Sequence, residues 1–351
     1  MLDISVIMPT ARDDYPIIGQ PDLHFLKPTI KSLSEQSFKD FEFIFVDALQ
    51  DQRESYDFSK LPFPVKNVPV HPNHRFWLDR RRWNVCGQLN TGILHAEGEL
   101  IVRIDDCSEF GDDFLQKFWD GYQSGYFPLA MHIRYLGGKP AHFNEEYKKK
   151  GYEVQRPFKY QRLEPDRGEV LRKLFGEEGL IRDTRYPVVK AKGGRMVAPI
   201  NWYYGYSSAS LEALLKINGY DELFDGDKSL EDTDTGSRLT MAGYGDKFLL
   251  DVDHQVIEHE HKPIPDRLIK GDILPIKCNY AIYLVNRRKK RFRANSDRLT
   301  DDDLNFIIEE SLKPPCSPRP DFYDDDCQGD LFKLWASNQP KFDLRVERLE
   351  I

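Results

Sequence analysis

Asp105-Asp106-Cys107 follows the apolar run Leu100-Ile101-Val102-Arg103-Ile104. Two carboxylates at the carboxyl end of a strand form a hard-oxygen site suited to Mg2+ or Mn2+. Such an ion bridges a diphosphate and neutralises charge on a departing nucleotide. A solvated turn or a helix cap uses the same residues. Ser229-Leu230-Glu231-Asp232-Thr233-Asp234 is a second acidic group. An acid at a helix N-terminus can take a proton from a hydroxyl as a general base. It can equally just cap the helix that follows. Glu258-His259-Glu260-His261 places two histidines at i and i+2, on one face of a strand, where one could ligate a metal. No cysteine stands nearby, which disfavours structural zinc. Trp202-Tyr203-Tyr204 offers flat rings that stack on sugars or fill a core. Asp79-Arg80-Arg81-Arg82 offers guanidiniums that pair with phosphates or solvate a turn.

The elements that must carry these residues follow an α/β pattern. Ile4–Thr10 is a short apolar run with Pro9 near its end and reads as a buried parallel strand. Leu26, Ile30 and Leu33 repeat at helical spacing, with Pro28 near the start of a helix ending about Gln36. Phe41–Asp47 is a second strand ending on an acid. A helix is expected over Gln88–His95, although Gly92 interrupts it, then a strand over Leu100–Ile104 and a helix over Asp112–Tyr122. Strands alternating with helices imply a mostly parallel sheet. Ligands of such sheets bind beyond the carboxyl ends of the strands, where Asp47 and Asp105-Asp106 lie.

From His132 to Pro199 the pattern becomes irregular and rich in Lys, Arg, Gly and Pro, which reads as an insertion with one helix near Glu169–Phe175. Helices are expected again at Ser208–Ile217 and Asp232–Met241, and strands at Lys247–Val252 and Gln255–Glu258. Beyond His261 the composition changes. A helix is expected over Pro275–Arg288, the run from Arg287 to Arg293 is basic, and Pro314–Cys327 is Pro- and Asp-rich, as mobile segments often are.

With 351 residues the chain can bury a large core. A net charge of −8 makes bulk nucleic-acid binding a poor fit. No run of eighteen or more apolar residues is present, and Met1-Leu2-Asp3-Ile4 lacks the features of a secretion signal. The five cysteines include no CxxC pair, so thiols and a reducing, cytoplasmic setting are expected.

The order of these pieces resembles a known family. Ser5-Val6-Ile7-Met8-Pro9-Thr10, followed by Gln36-Ser37-Phe38-Lys39-Asp40-Phe41-Glu42, looks like the opening of the family 2 glycosyltransferases. Leu89-Asn90-Thr91-Gly92-Ile93, Ala96-Glu97-Gly98-Glu99 and Ile104-Asp105-Asp106 resemble their next block. Asn218-Gly219-Tyr220-Asp221-Glu222 with Glu231-Asp232 resembles the third, in its inverting, galactosyltransferase- or chondroitin-polymerase-like form. The match runs from residue 4 to about 261.

That resemblance implies a GT-A fold, a Rossmann-like and mostly parallel α/β sheet with flanking helices. It implies domains at 1–262 (nucleotide half to about 131, insertion 132–199, acceptor half 200–262) and an extension, 263–351. It implies inverting transfer from a nucleotide-sugar, UDP-linked in the commonest pattern, to a saccharide or glycan acceptor. Thr10, Asp47, Arg82, Asn90, Asp105 and Asp106 would contact the donor, and Trp202, Tyr203 and Tyr204 the acceptor. Asp232 would be the general base beside Glu231. Mn2+ or Mg2+ would be held by Asp106, Cys107 and His259, with His261 the alternative. Cys107 occupies the position where the family's Asp-x-Asp ends in Asp, and a thiol there favours a softer ion. A rival reading is therefore a catalytically impaired GT-A protein that only binds glycan or nucleotide. A sugar-nucleotide pyrophosphorylase is disfavoured because no Gly-rich loop follows the first strand. The basic run at Arg287–Arg293 would allow peripheral membrane contact.

Overall fold

The computed structural model describes residues 2–11, 16–17, 20–24, 26–50, 57–135, 180–227, 229–259, 278–311 and 326–351. Its strands are β1 (Ile4–Thr10), β2 (Pro16–Ile17), β3 (Gln20–His24), β4 (Phe41–Asp47), β5 (Val65–Pro69), β6 (Leu100–Arg103), β7 (Ser108–Phe110), β8 (Phe127–Tyr135), β9 (Leu180–Arg182), β10 (Arg195–Val197), β11 (Ser207–Ser210) and β12 (Phe248–His259). Its helices are α1 (Lys27–Ser34), α2 (Val85–His95), α3 (Phe114–Gln123), α4 (Tyr186–Ala191), α5 (Leu211–Lys216), α6 (Glu231–Leu239), α7 (Asn279–Arg288), α8 (Asp301–Ser311), α9 (Asp326–Ser337) and α10 (Leu344–Glu347).

One ten-stranded sheet runs in the order β10-β12-β8-β11-β6-β1-β4-β5, with β7 on β12 and β9 on β8. Strands β5, β4, β1 and β6 are parallel, β8 and β12 are parallel to each other, and β11 is antiparallel to both of its neighbours. Every residue of β1 and β4 is buried, as expected for parallel strands covered on both faces. Successive side chains enter opposite layers. Ile7, Ile44 and Val46 pack with Leu89 and Ile93 of α2, while Val6, Met8, Phe43 and Phe45 pack with Leu33 of α1 and Phe114 and Phe118 of α3. Gly92 is what lets α2 lie so close: a Cβ there would sit 2.4 Å from Ile7 Cγ2. The residue that weakens the helix in isolation is required by its packing.

Several expected elements differ. Ser207–Ser210 is a strand rather than the start of a helix, because it fills the gap between β6 and β8. The two expected strands near residue 250 are one, β12, with a register shift between Leu250 and Gln255. Strand β8 was not anticipated. The helix expected at 169–175 lies outside the described residues. Cys278 is disulfide-bonded, contrary to the expectation of thiols throughout, whereas Cys86 and Cys107 are free and buried. No described helix is long and apolar enough to cross a membrane.

Residues 278–311 and 326–351 join the main core through Ile282, Leu299, Ile307, Trp335 and Leu344. Polar anchors reinforce this. Buried Asn286 donates to Asp221 Oδ2 at 2.9 Å and Asp234 Oδ1 at 3.0 Å. Arg348 donates to the carbonyls of Leu94 (2.9 Å) and Ala96 (2.8 Å) at the carboxyl end of α2. His74 lies between Glu222 (2.6 Å) and Glu347 (2.9 Å); against burial, these carboxylates push its ring up to about 10. Much of the basic run is likewise spent internally: Lys289 pairs with Asp303, Arg293 with Asp343, and Arg291 with Asp297 at 3.1 Å.

Candidate active site

Parallel pairing of β1 with β4 sets Thr10 directly beside Asp47 at the carboxyl edge. Both are buried, and Asp47 Oδ1 accepts from the Leu49 amide at 2.9 Å. Thr10 Oγ1 donates to Asp106 Oδ2 at 2.7 Å, so residues 96 positions apart meet where β1 and β6 end. Gln88, on α2, ties this edge together by donating to the carbonyls of Thr10 and Val46 at 2.7 and 3.0 Å. Asp105 is the more open acid, 37% exposed at its side chain, while Asp106 is buried.

Arg103, the last residue of β6, joins this edge to the second acidic group. Its Nη2 stands 3.6 Å from Asp105 Oδ1 and 3.6 Å from Glu231 Oε1. The guanidinium is buried and lies 6.0 Å over the Tyr220 ring. Its Nε and Nη1 have no hydrogen-bond partner among the described residues. A buried cation so lightly bonded is held by the charges around it. Sequence reasoning missed Arg103 because it reads as one polar residue in an apolar strand.

Glu231 and Asp232 open α6. Ser229 and Leu230 precede them with φ of 93° and 75°, and Cys107 has φ of 62°. Left-handed conformations at such residues cost of order 1–3 kcal/mol each and cluster at functional sites. Asp232 Oδ1 accepts from the Thr233 amide at 2.6 Å and Oδ2 from the Gly205 amide at 3.3 Å. These bonds aim the carboxylate while leaving lone pairs for a proton. Burial and the neighbouring Asp232 charge push the Glu231 carboxyl up to about 7, against the pull of Arg103.

The structure brings Thr10, Asp47, Asp105, Asp106, Glu231 and Asp232 to connected positions, with Arg103 as the link. Arg82 is buried beside the charge of Asp227, on the approach to α2. Asn90 stands apart from them: it is fully buried, and its side chain is occupied with Tyr220 and Glu222. Tyr203 leaves the expected acceptor trio, since it is 1% exposed and packs on Phe248 and against Gly236. Trp202 is half-buried, and Tyr204 lies beneath the Arg185 guanidinium at 3.8 Å, with its hydroxyl 3.2 Å from Asp183.

Among the described residues, Asp106, Cys107 and His259 do not bring their ligand atoms close enough together to share one ion. Asp106 is engaged by Thr10, and Cys107 is fully buried, its carbonyl accepting from the His259 amide at 2.9 Å. His259 Nε2 is bonded to Glu109 at 2.8 Å. His261 lies outside the described residues. Among the described residues, the side chains close enough to share one ion are elsewhere: His71, His74 and Glu347.

Residues 5–172 match the sequence model of a family described as glycosyl transferase family 2. That stretch, just under half of the chain, is a family 2 glycosyltransferase domain. Its curled, largely parallel sheet with flanking helices is the mixed α/β arrangement expected of GT-A enzymes. Among solved structures, the chain is similar to S. aureus TarS 1-349 in complex with UDP, at 14% identity and TM-score 0.40 over 73% of this chain and 60% of that one. It is also similar to S. aureus TarS 1-349 in complex with UDP-GlcNAc, at 13% identity and TM-score 0.45 over 93% and 76%. A mycobacterial protein aligns at 13% identity and TM-score 0.37 over 75% and 68%. The chain thus spans 60% of the length of the first of these structures. No curated protein sequence matches it.

Proposed function

We propose that this chain transfers a sugar from a nucleotide-sugar, UDP-linked in the family's commonest pattern, to a hydroxyl of a saccharide or glycan with inversion. The observation that carries the reading is the buried guanidinium of Arg103, 3.6 Å from the strand-end acid Asp105 and 3.6 Å from Glu231 of the acid pair. A donor at the carboxyl edge and an acceptor over α6 would then meet across this link.

In this reading the acceptor hydroxyl gives its proton to an oxygen of Asp232. The freed oxygen attacks the anomeric carbon, and the bond from that carbon to the phosphate oxygen breaks on the opposite face. The nucleoside diphosphate departs with the bonding pair, inverting the centre. Asp232 suits the role because backbone amides orient it and leave lone pairs open. Glu231 keeps the pair from carrying two full negative charges below about pH 7. Thr10 and Asp47 would contact the nucleoside, and Arg82 would face the diphosphate. Trp202 and Tyr204 remain the acceptor-side rings. Positioning and fixed charge supply most of the rate. No step is assigned to Mn2+ or Mg2+.

The test is a panel of nucleotide-sugars, for binding and turnover, with Mn2+, with Mg2+ and with EDTA. Turnover of one donor that Asp232→Asn abolishes while still binding that donor supports the reading, and the metal arms show whether an ion takes part. Full transfer by Asp232→Asn removes the base. Binding of a nucleotide-sugar without turnover leaves the impaired-binder reading, and binding of none overturns the donor site.

A further inference from the structure

The loop ahead of α2 and the last helix meet in a cluster that the transfer chemistry does not use. His71 opens a short helical turn over Pro72–His74, so the two histidines project from one turn with ring centroids 5.4 Å apart. Glu347, on α10, reaches in from the far end of the chain. One ligand atom from each of the three lies within 4.8 Å of the others; His74 and Glu347 are buried and His71 is half-buried.

The surroundings are those of a prepared site. Glu222 Oε1 sits 2.6 Å from His74 Nδ1 and is itself held by the Asn90 amide at 2.9 Å. A carboxylate on one ring nitrogen fixes the tautomer and turns the other nitrogen toward an ion. That other nitrogen, His74 Nε2, faces Glu347 Oε2 at 2.9 Å. The second oxygen of Glu347 accepts from Asn73 at 2.8 Å, which holds the carboxylate in place. Phe342 packs edge-on against His74 at 4.5 Å and closes one side. Two buried carboxylates flank one ring: a proton on that ring answers one of those charges, and a divalent ion answers both.

We propose that His71, His74 and Glu347 form a zinc site that clips the last helix to the loop ahead of α2. Two imidazoles and one carboxylate suit a borderline ion such as Zn2+, and they offer too few oxygens for Ca2+ or Mg2+. The half-exposed His71 side leaves the fourth position to water.

The experiment uses the full chain, stripped with EDTA and titrated with ZnCl2 by calorimetry and thermal melting. Wild type should take up one Zn2+ per chain and melt higher when loaded. His71→Ala should bind at least about 10-fold more weakly and lose that rise, while His259→Ala, at the strand edge, should keep both. No uptake overturns the site and leaves a proton between His74 and Glu347, and so does uptake lost in His259→Ala but kept in His71→Ala. Should His71→Ala fail to fold, Co2+ on wild type decides. A four-coordinate spectrum without a thiolate charge-transfer band supports the site, and a thiolate band or no spectral change overturns it.

Discussion

Glu231→Gln is the substitution whose result follows most directly from the site. The side chain keeps its size, but the position can no longer ionise. In the folded chain the Glu231 carboxyl titrates near 7 rather than at the ordinary 4.5, because it is buried next to Asp232. An acid with a raised folded pKa holds its proton more tightly when folded. Stability from this group is therefore fully present below pH 4.5 and is lost as pH rises to about 7. At about 1.4 kcal/mol per pH unit, that loss is about 3 kcal/mol. Glutamine avoids it. The variant should therefore gain about 3 kcal/mol on wild type between pH 4.5 and pH 8, read as the difference between two denaturation series. A stability difference identical at the two pH values would falsify the assigned environment of Glu231. If Asp232 is the base, transfer below pH 7 should persist in the same variant, because glutamine keeps the neutral neighbour that the protonated Glu231 provides there.

Asn286→Ala should cost about 2–5 kcal/mol, since it leaves oxygens of Asp221 and Asp234 without their donor in a buried place; a thermal melt unchanged from wild type would refute this. Cys107→Asp restores the family's usual acid on paper, yet it buries a carboxylate at a fully enclosed position with φ of 62°. It should lower the melting temperature and leave Mn2+ affinity unimproved, and a gain in Mn2+ affinity by calorimetry would count against the placement of Cys107.

The parallel strands at the start of the chain were legible because their signals are local. Ile4–Thr10 and Phe41–Asp47 announce themselves as apolar runs, and the acids after Ile104 mark a strand end. Asp232 at a helix start was readable for the same reason. What the sequence hid depends on distant partners. Ser207–Ser210 carries no strand pattern and pairs only because β6 and β8 flank it. Arg103 gains meaning from Glu231, Tyr203 is withdrawn from the surface by Phe248 and Gly236, and His74 is fixed by two glutamates, one of them in the last helix. None of these is visible in a window of neighbours.

The carbonyls that end α2 are capped by Arg348, 254 residues after Leu94. During synthesis from the N-terminus, the first half of the sheet can assemble while that helix end is still open. Its closure waits until residue 348 has left the ribosome. Contacts this remote slow folding and prolong the exposure of partly built intermediates. Helix α10 thus fastens late: without Arg348 the acids of the site are still present, but the end of the helix that supports them loses its cap.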